Sequence, residues 1–359
     1  MKKSGLLLLK VVFSVGILVY IFTRVVHIGD LWANLREVNV SYLVAAVAVY
    51  LLVQTLSAYR WYLILKPLEI ETGFPKILSL YYLGMYFNFF LPSAIGGDVF
   101  KVYYLHKETG RLSASTATVF LDRDVGMGGL LVAATLVAAY GGTRIPTENG
   151  VLLAPLFALI GVAFIAANLA LFYRPTYNLL HRLLSLFRMK GADERVERLF
   201  ESVNSYRGEW GLAAVTLIIS LGVQFGCAFV NILAASAIGL HTQHGWIDYM
   251  VFIPAIGLIG MIPLSVNGAG WREASYILLF QSVAIGVVDA QQAKNQAATL
   301  SLLWLGIVII TSLPGGIIYL LRGGRARETQ GLSRGAEDET HGIGAPLEPS
   351  REEEPISTI

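Results

Sequence analysis

Charge is scarce in this chain. Asp, Glu, Lys and Arg make up 14% of its 359 residues, with a net charge of +2, where an ordinary soluble protein carries about 25%. So thin and balanced a charge excludes the basic footprint of a nucleic-acid binder. Cysteine is nearly absent: Cys227 stands alone, which excludes an intrachain disulfide and a cysteine-based zinc site. It lies in an apolar run, the setting of a buried, inert thiol. The 6 histidines are scattered, with only His241 and His244 close together, so neither a metal nor another cofactor is expected. No Gly-x-x-x-x-Gly-Lys-Ser/Thr occurs, which excludes ATP hydrolysis by a P-loop. The string Gly331-Leu-Ser-Arg-Gly335 spells the nucleophile elbow of hydrolases, but it sits in a polar tail without the strand and helix that the motif needs.

Apolar length is what the chain has in excess. Hydrophobic residues reach 55%, mean hydropathy is +0.60, and several apolar runs approach the ~20 residues that cross a bilayer as a helix. The reading is an all-α polytopic membrane protein. About six full spans are expected, at 6–23, 42–65, 116–140, 150–173, 209–239 and 296–321. The first follows Lys2 and Lys3 and lacks a small-residue cleavage site, so it reads as an uncleaved span rather than a signal peptide. Two further apolar stretches fit a straight span poorly. Residues 77–110 are broken by Pro92-Ser93-Ala-Ile-Gly96-Gly97-Asp98, and 247–286 by Pro263-Leu-Ser-Val-Asn267-Gly268-Ala-Gly270. Each is expected to form two half-helices around an unwound turn, because proline removes a donor and glycine tolerates unusual backbone angles.

The placement of Lys and Arg orients these pieces. Segment 174–208 carries Arg174, Arg182, Arg188, Lys190, Arg195, Arg198 and Arg207, and the stretch after the last span carries Arg322, Arg325, Arg327 and Arg334. Both are expected in the cytoplasm, as is the N-terminus, whereas 240–248 has no Lys or Arg and belongs outside. These assignments agree only if each broken stretch enters and leaves on one side, the first facing the cytoplasm and the second the exterior. The expected architecture is therefore an inverted repeat, repeat 1 over about 5–140 and repeat 2 over about 150–321, with a re-entrant hairpin in each. Segment 174–208 has apolar residues at helical spacing and reads as an amphipathic stretch on the membrane surface. Residues 322–359 turn polar and are expected to form a disordered tail outside the membrane domain 1–321.

Several polar residues sit where hydrocarbon would surround them. Asp98, Arg123, Arg272 and Glu273 fall at the breaks or at span starts, and each charge at the bilayer centre costs about 2.5–3.5 kcal/mol on insertion scales. They must pair, neutralise or face water. One reading is a static ion-pair network that pins the hairpins; the other is a polar path for a charged substrate group. Asn88, among Phe87, Phe89 and Phe90, needs a partner for its amide and is expected either to satisfy the open carbonyls of the hairpin or to contact a ligand. Gly96, Gly97, Gly268 and Gly270 allow close approach of backbone to a neighbour or ligand, and Gly222 and Gly226 read as helix packing. Arg60-Trp61 is expected to anchor at the interface, with the arginine snorkelling. Asp122-Arg-Asp124 has the form of the metal-binding D-x-D of sugar transferases, a use that requires both carboxylates to face one pocket.

The run Asn88-Phe-Phe-Leu-Pro92-Ser93-Ala-Ile-Gly96-Gly97-Asp98-Val-Phe-Lys101 resembles the signature of the lysylphosphatidylglycerol synthase transmembrane, or flippase-like, family. Arg60-Trp61, Leu121-Asp-Arg123 and Pro263-Leu-Ser-Val-Asn267-Gly268-Ala-Gly270-Trp-Arg272-Glu273 agree with it, so that the resemblance covers residues 5–321. Two positions depart from the family pattern: Lys101 stands where arginine is usual, and Asp124 where an apolar residue is commoner. The resemblance implies movement of a lipid or lipid-linked headgroup, with no catalysis by this chain, because a soluble transferase domain is expected to be absent. Its implied partners are a membrane lipid and an enzyme that synthesises it. The substrate path would run along Asn88, Pro92, Ser93, Gly96, Gly97, Asp98, Lys101, Arg123, Pro263, Asn267, Gly268, Gly270, Arg272 and Glu273, with Arg60 and Asp122 as secondary candidates. The rival readings are an ion-coupled carrier of a small solute and a polyprenyl-lipid glycosyltransferase.

Overall fold

The computed structural model describes residues 15–26, 29, 34–90, 96–141, 153–171, 192–261 and 268–342. It is helical almost throughout. Ten α-helices follow one another among the described residues: α1 Val40–Ile64, α2 Phe74–Phe90, α3 Gly96–Thr109, α4 Leu112–Gly141, α5 Leu153–Leu171, α6 Ala192–Asn204, α7 Trp210–Ala237, α8 Trp246–Met261, α9 Trp271–Phe280 and α10 Ala290–Gly342. A π-helical turn at Ile21–Val25 precedes them. Two short strands, β1 His241–Thr242 and β2 Ala284–Ile285, pair antiparallel, with His241 opposite Ile285 and Thr242 opposite Ala284.

Among the described residues three helical stretches are long and apolar enough to cross a membrane, Val40–Leu68, Trp210–Ala237 and Ala290–Leu321. Val15–Val25, Pro155–Leu169 and Trp246–Gly260 are shorter apolar helices. Large apolar side chains point outward along these elements, among them Leu52 on α1, Leu136 on α4, Leu159 on α5, Ile218 on α7 and Ile310 on α10. In water such a surface would be an aggregation liability; in a bilayer it is the solvated face. The chain is a helical membrane protein.

Helices α1 and α7 form the most extensive pair and run antiparallel. At one end the Asn39 N–H donates to the Ala237 carbonyl at 2.9 Å; at the other the Tyr206 hydroxyl donates to the Ile64 carbonyl. Burial pushes that phenol well above the ordinary tyrosine pKa. Helix α1 starts where it does because the Asn39 side chain accepts from the Ser41 N–H at 3.1 Å, capping its first turn.

Both broken stretches are hairpins whose two ends meet. In the first, Lys76 near the start of α2 pairs with Glu108 near the end of α3 at 2.9 Å, beside the Arg111 guanidinium, which donates to the Leu68 carbonyl at 2.7 Å. In the second, β1 before α8 pairs with β2 after α9, and the Gln243 N–H donates to the Val283 carbonyl at 2.9 Å. The first mouth lies beside the C-terminal end of α1; the second follows directly on the C-terminal end of α7, next to the start of α1. Two buried apolar clusters match these ends. Trp61, Leu65, Ile77 and Leu105 belong to one, and Tyr50, Val230, Phe252, Tyr276 and Phe280 to the other.

Lipid removes the hydrophobic drive between helices, so association rests on close packing and polar contacts. Small residues supply the closeness. A Cβ on Gly97 of α3 would run into the Gly84 carbonyl of α2, one on Gly129 of α4 into the Ser220 side chain of α7, and one on Gly226 of α7 into Val53 of α1.

Some expectations change. The last helix continues to Gly342, so part of the segment expected to be a structureless tail is helical. Composition argued only that 322–359 builds no core; a helix extending from an existing span needs no core and no new nucleus. The chain divides into two units, Met1–Gly315 and Gly316–Ile359. Only Ala192–Asn204 of the expected amphipathic segment 174–208 is described before the turn into α7, and it is a helix with Val203 buried.

Candidate functional site

The first hairpin assembles the densest group of buried charge. Asp98 sits in the first turn of α3 and is 6% exposed. Two cations converge on it. The Arg123 side chain, from α4, donates through Nε to one carboxylate oxygen, and Lys101 Nζ, one turn along α3, lies 3.6 Å from the other. One carboxylate thus faces two cations. Lys101 is buried, and its ammonium lies 3.9 Å from the centre of the Tyr81 ring and 5.4 Å from the Trp61 ring, so aromatic faces stabilise it where water is excluded. A compact ammonium suits this slot between rings better than a guanidinium fork would. Arg123 differs: its side chain is 42% exposed, so one member of the cluster is reachable from outside the protein.

Asn88 finds its partner in the hairpin itself, though at an open N–H rather than the expected carbonyls: its Oδ1 accepts from the Gly97 N–H at 2.7 Å. That bond holds the start of α3 against the end of α2 and satisfies one of the helix's open donors. Gly84 completes the fit, since a Cβ there would meet Lys101 Cε at 2.8 Å. The spacing of Gly84 and Asn88, four apart on one face of α2, is the signal that would have found Gly84. Tyr81 carried no comparable signal, being one aromatic among many.

The second hairpin is built differently. Gly268 and Gly270 have φ of +76° and +86°, a left-handed backbone that side chains resist. Glu273 is buried and turns back on this loop: its Oε2 accepts from the Gly270 N–H at 2.7 Å, while Oε1 accepts from Arg272 Nη2 at 2.5 Å. Here one carboxylate balances one guanidinium. Below them Tyr276 donates to Asn231 Oδ1 of α7 at 2.7 Å, and Asn231 donates to the Cys227 carbonyl at 3.0 Å, a buried chain that sequence reading did not single out. Pro92, Ser93, Pro263 and Asn267 lie outside the described residues.

Arg60 does not snorkel. It is buried on α1, its Nε donating to Asp122 Oδ1 of α4 at 2.9 Å and its Nη1 to Ser220 Oγ of α7 at 2.8 Å. A Cβ on Gly126 would lie 3.2 Å from the guanidinium, so the glycine makes room for it. This network ties three helices together. Asp124 points elsewhere, accepting from Asn168 Nδ2 of α5 at 3.2 Å. Asp122 and Asp124 therefore face different helices and cannot share a metal, and the sugar-transferase reading of Asp122-Arg-Asp124 fails on that ground. Among the described residues no group of three or more His, Cys, Asp or Glu is placed to hold a metal ion.

Fold and site together define a helical membrane protein with two broken-helix hairpins, one of which buries an ion cluster at its tip. The family is then plain: the model of the lysylphosphatidylglycerol synthase TM region matches residues 7–315, and the chain belongs to that family. It is also similar to UPF0104 membrane protein MJ1595 of Methanocaldococcus jannaschii, with 30% identity over 108 residues, a stretch amounting to 30% of each chain.

Proposed function

We propose that this protein moves a lipid or lipid-linked headgroup between the leaflets of a cytoplasmic membrane. On this reading the headgroup passes the Asp98–Lys101–Arg123 cluster while its tails stay in the lipid, and the chain performs transport without bond chemistry. One observation carries the reading. A buried carboxylate is held between two cations at the broken tip of a hairpin, with one of those cations exposed. The exposure of Arg123 beside the buried carboxylate suits a passing anionic group. The meeting of the ends of each hairpin, at opposite ends of the α1–α7 pair, supports an inverted repeat with both termini cytoplasmic. An enzyme that makes or consumes the lipid is the partner class the reading implies.

The test is Asp98→Asn in vesicles carrying fluorescent phospholipids, with leaflet exchange followed by membrane-impermeant quenching. The amide keeps size and hydrogen bonding but loses the charge. The expected result is loss of exchange per folded molecule, with the yield of folded protein measured alongside because the substitution also leaves the buried Lys101 without its carboxylate. Wild-type exchange by the variant would remove this cluster from the mechanism. A wild-type protein that moves no lipid, but accumulates a soluble ion-coupled solute, would replace the flippase with a carrier.

A further inference from the structure

Three consecutive positions of α4 turn to three different neighbours. Asp122 reaches Arg60 of α1, Arg123 reaches Asp98 of α3, and Asp124 reaches Asn168 of α5. The first two meet opposite charge. Asp124 meets an amide, and the transport reading makes no use of it.

The surroundings of Asp124 offer little to an ionised carboxylate. It is half-buried and lies about 18 Å along α4 from Leu112, well inside the helix. Helix α5 contains no ionisable side chain at all, and Asn168 is its one polar side chain. Asn168 Nδ2 donates to Asp124 Oδ1 at 3.2 Å and to the Phe164 carbonyl at 3.1 Å, so the amide has no second proton for the carboxylate. Among the described residues no salt bridge reaches Asp124. Charged groups on the other helices packed against α4 are turned elsewhere: Arg60 to Asp122, Lys101 to Asp98 and Asp248 to His244. Arg198 and Glu201 of α6 line a cavity at the first turn of α4, and Cys227, the one ionisable side chain of α7, packs in the apolar cluster around Tyr50. A buried ionised carboxylate is ordinarily held by a cation or by two or three N–H donors. One amide N–H in an apolar seam serves a neutral acid equally well.

We propose that Asp124 is a proton-binding site, neutral while α5 covers it and ionised when water enters the seam between α4 and α5. The proton is taken from water and returned to water, and no other bond forms or breaks. Coupling rests on the transport reading: the proton moves with the headgroup that passes the neighbouring Arg123, whose side chain is 42% exposed.

Two measurements test this. The first compares infrared spectra of the full chain in vesicles with those of Asp124→Asn, at equal folded amount. Near neutral pH, where an ordinary aspartate is ionised, the wild type should show the C=O stretch of a protonated carboxyl, and the variant should lack it. Identical carboxyl bands in the two proteins, or none in either, would overturn the proton site. The second imposes a pH gradient of about one unit on the same vesicles, with the membrane potential clamped by valinomycin and potassium, and follows fluorescent phospholipid; one proton per lipid supports a leaflet asymmetry of up to about tenfold. Asp124→Asn, which mimics the neutral acid, should exchange lipid but leave the leaflets equal. Equal leaflets in a wild type that does exchange lipid would overturn the coupling. A wild type that exchanges no lipid refutes the transport reading instead, and the infrared comparison still decides the proton site.

Discussion

Asp122→Asn is the sharpest probe of what holds the helices together. The substitution removes a charge and almost no volume, and it leaves the Arg60 guanidinium buried with the Ser220 hydroxyl as its remaining described partner. Both members of the pair are about 95% shielded, at 6% and 5% side-chain exposure, so solvent cannot take over from the lost carboxylate. Removing one partner of such a pair costs about 3–5 kcal/mol. At ~2 °C per kcal/mol for a large chain, the melting midpoint should fall by about 6–10 °C. The assay is thermal unfolding in a single detergent, read by tryptophan fluorescence and by loss of the monodisperse peak. Arg60→Gln should cost a similar amount, because it strands Asp122 instead. The double variant, Arg60→Gln with Asp122→Asn, pairs two amides and should recover at least half of the summed loss, a coupling that only contacting residues show. A single Asp122→Asn variant melting within about 2 °C of wild type would refute the buried pair, and strictly additive losses would refute the contact.

Three further outcomes are expected. Gly97→Ala should lower the melting point by the equivalent of about 2–3 kcal/mol or prevent folding, because its Cβ meets a backbone carbonyl that cannot yield, whereas Gly222→Ala should be near neutral, since its nearest neighbour, Leu56 Cδ2, lies at 3.6 Å. Tyr276→Phe should cost about 1–3 kcal/mol in the same assay by leaving the buried Asn231 carbonyl oxygen without its donor. Cysteine placed at exposed Gln243, chosen because Thr242 beside it is buried, should react with an impermeant maleimide on intact cells, and cysteine at Ser205 only after permeabilisation; labelling of both from one side would sink the inverted topology.

Much of the architecture is local and therefore readable along the chain. Apolar length located α1, α4, α5, α7 and α10 to within a few residues of their start, except that α10 begins at Ala290 rather than 296, and Pro-Gly clusters located both breaks, because a span and its interruption depend only on neighbouring residues. The charges that needed partners were equally visible, since their cost in hydrocarbon follows from residue type. Asp122 and Asp124 could have been separated by spacing alone, as residues two apart do not share a helix face. Partner identity was not legible. Arg60 meets Asp122 and Ser220, which are 62 and 160 positions away, and nothing near Arg60 in the chain distinguishes that burial from snorkelling at an interface. Whether a cation is buried, exposed or shared by one carboxylate depends on which helices cross and how closely, and that is set by the Gly84–Gly97 and Gly129–Ser220 crossings. The sequence alone determined that this chain lives in a membrane and where its helices break; only tertiary packing decided that Arg60–Asp122 is a buried tie and that Asp98 sits between two cations, because ion pairs form across helices whose approach no local pattern encodes.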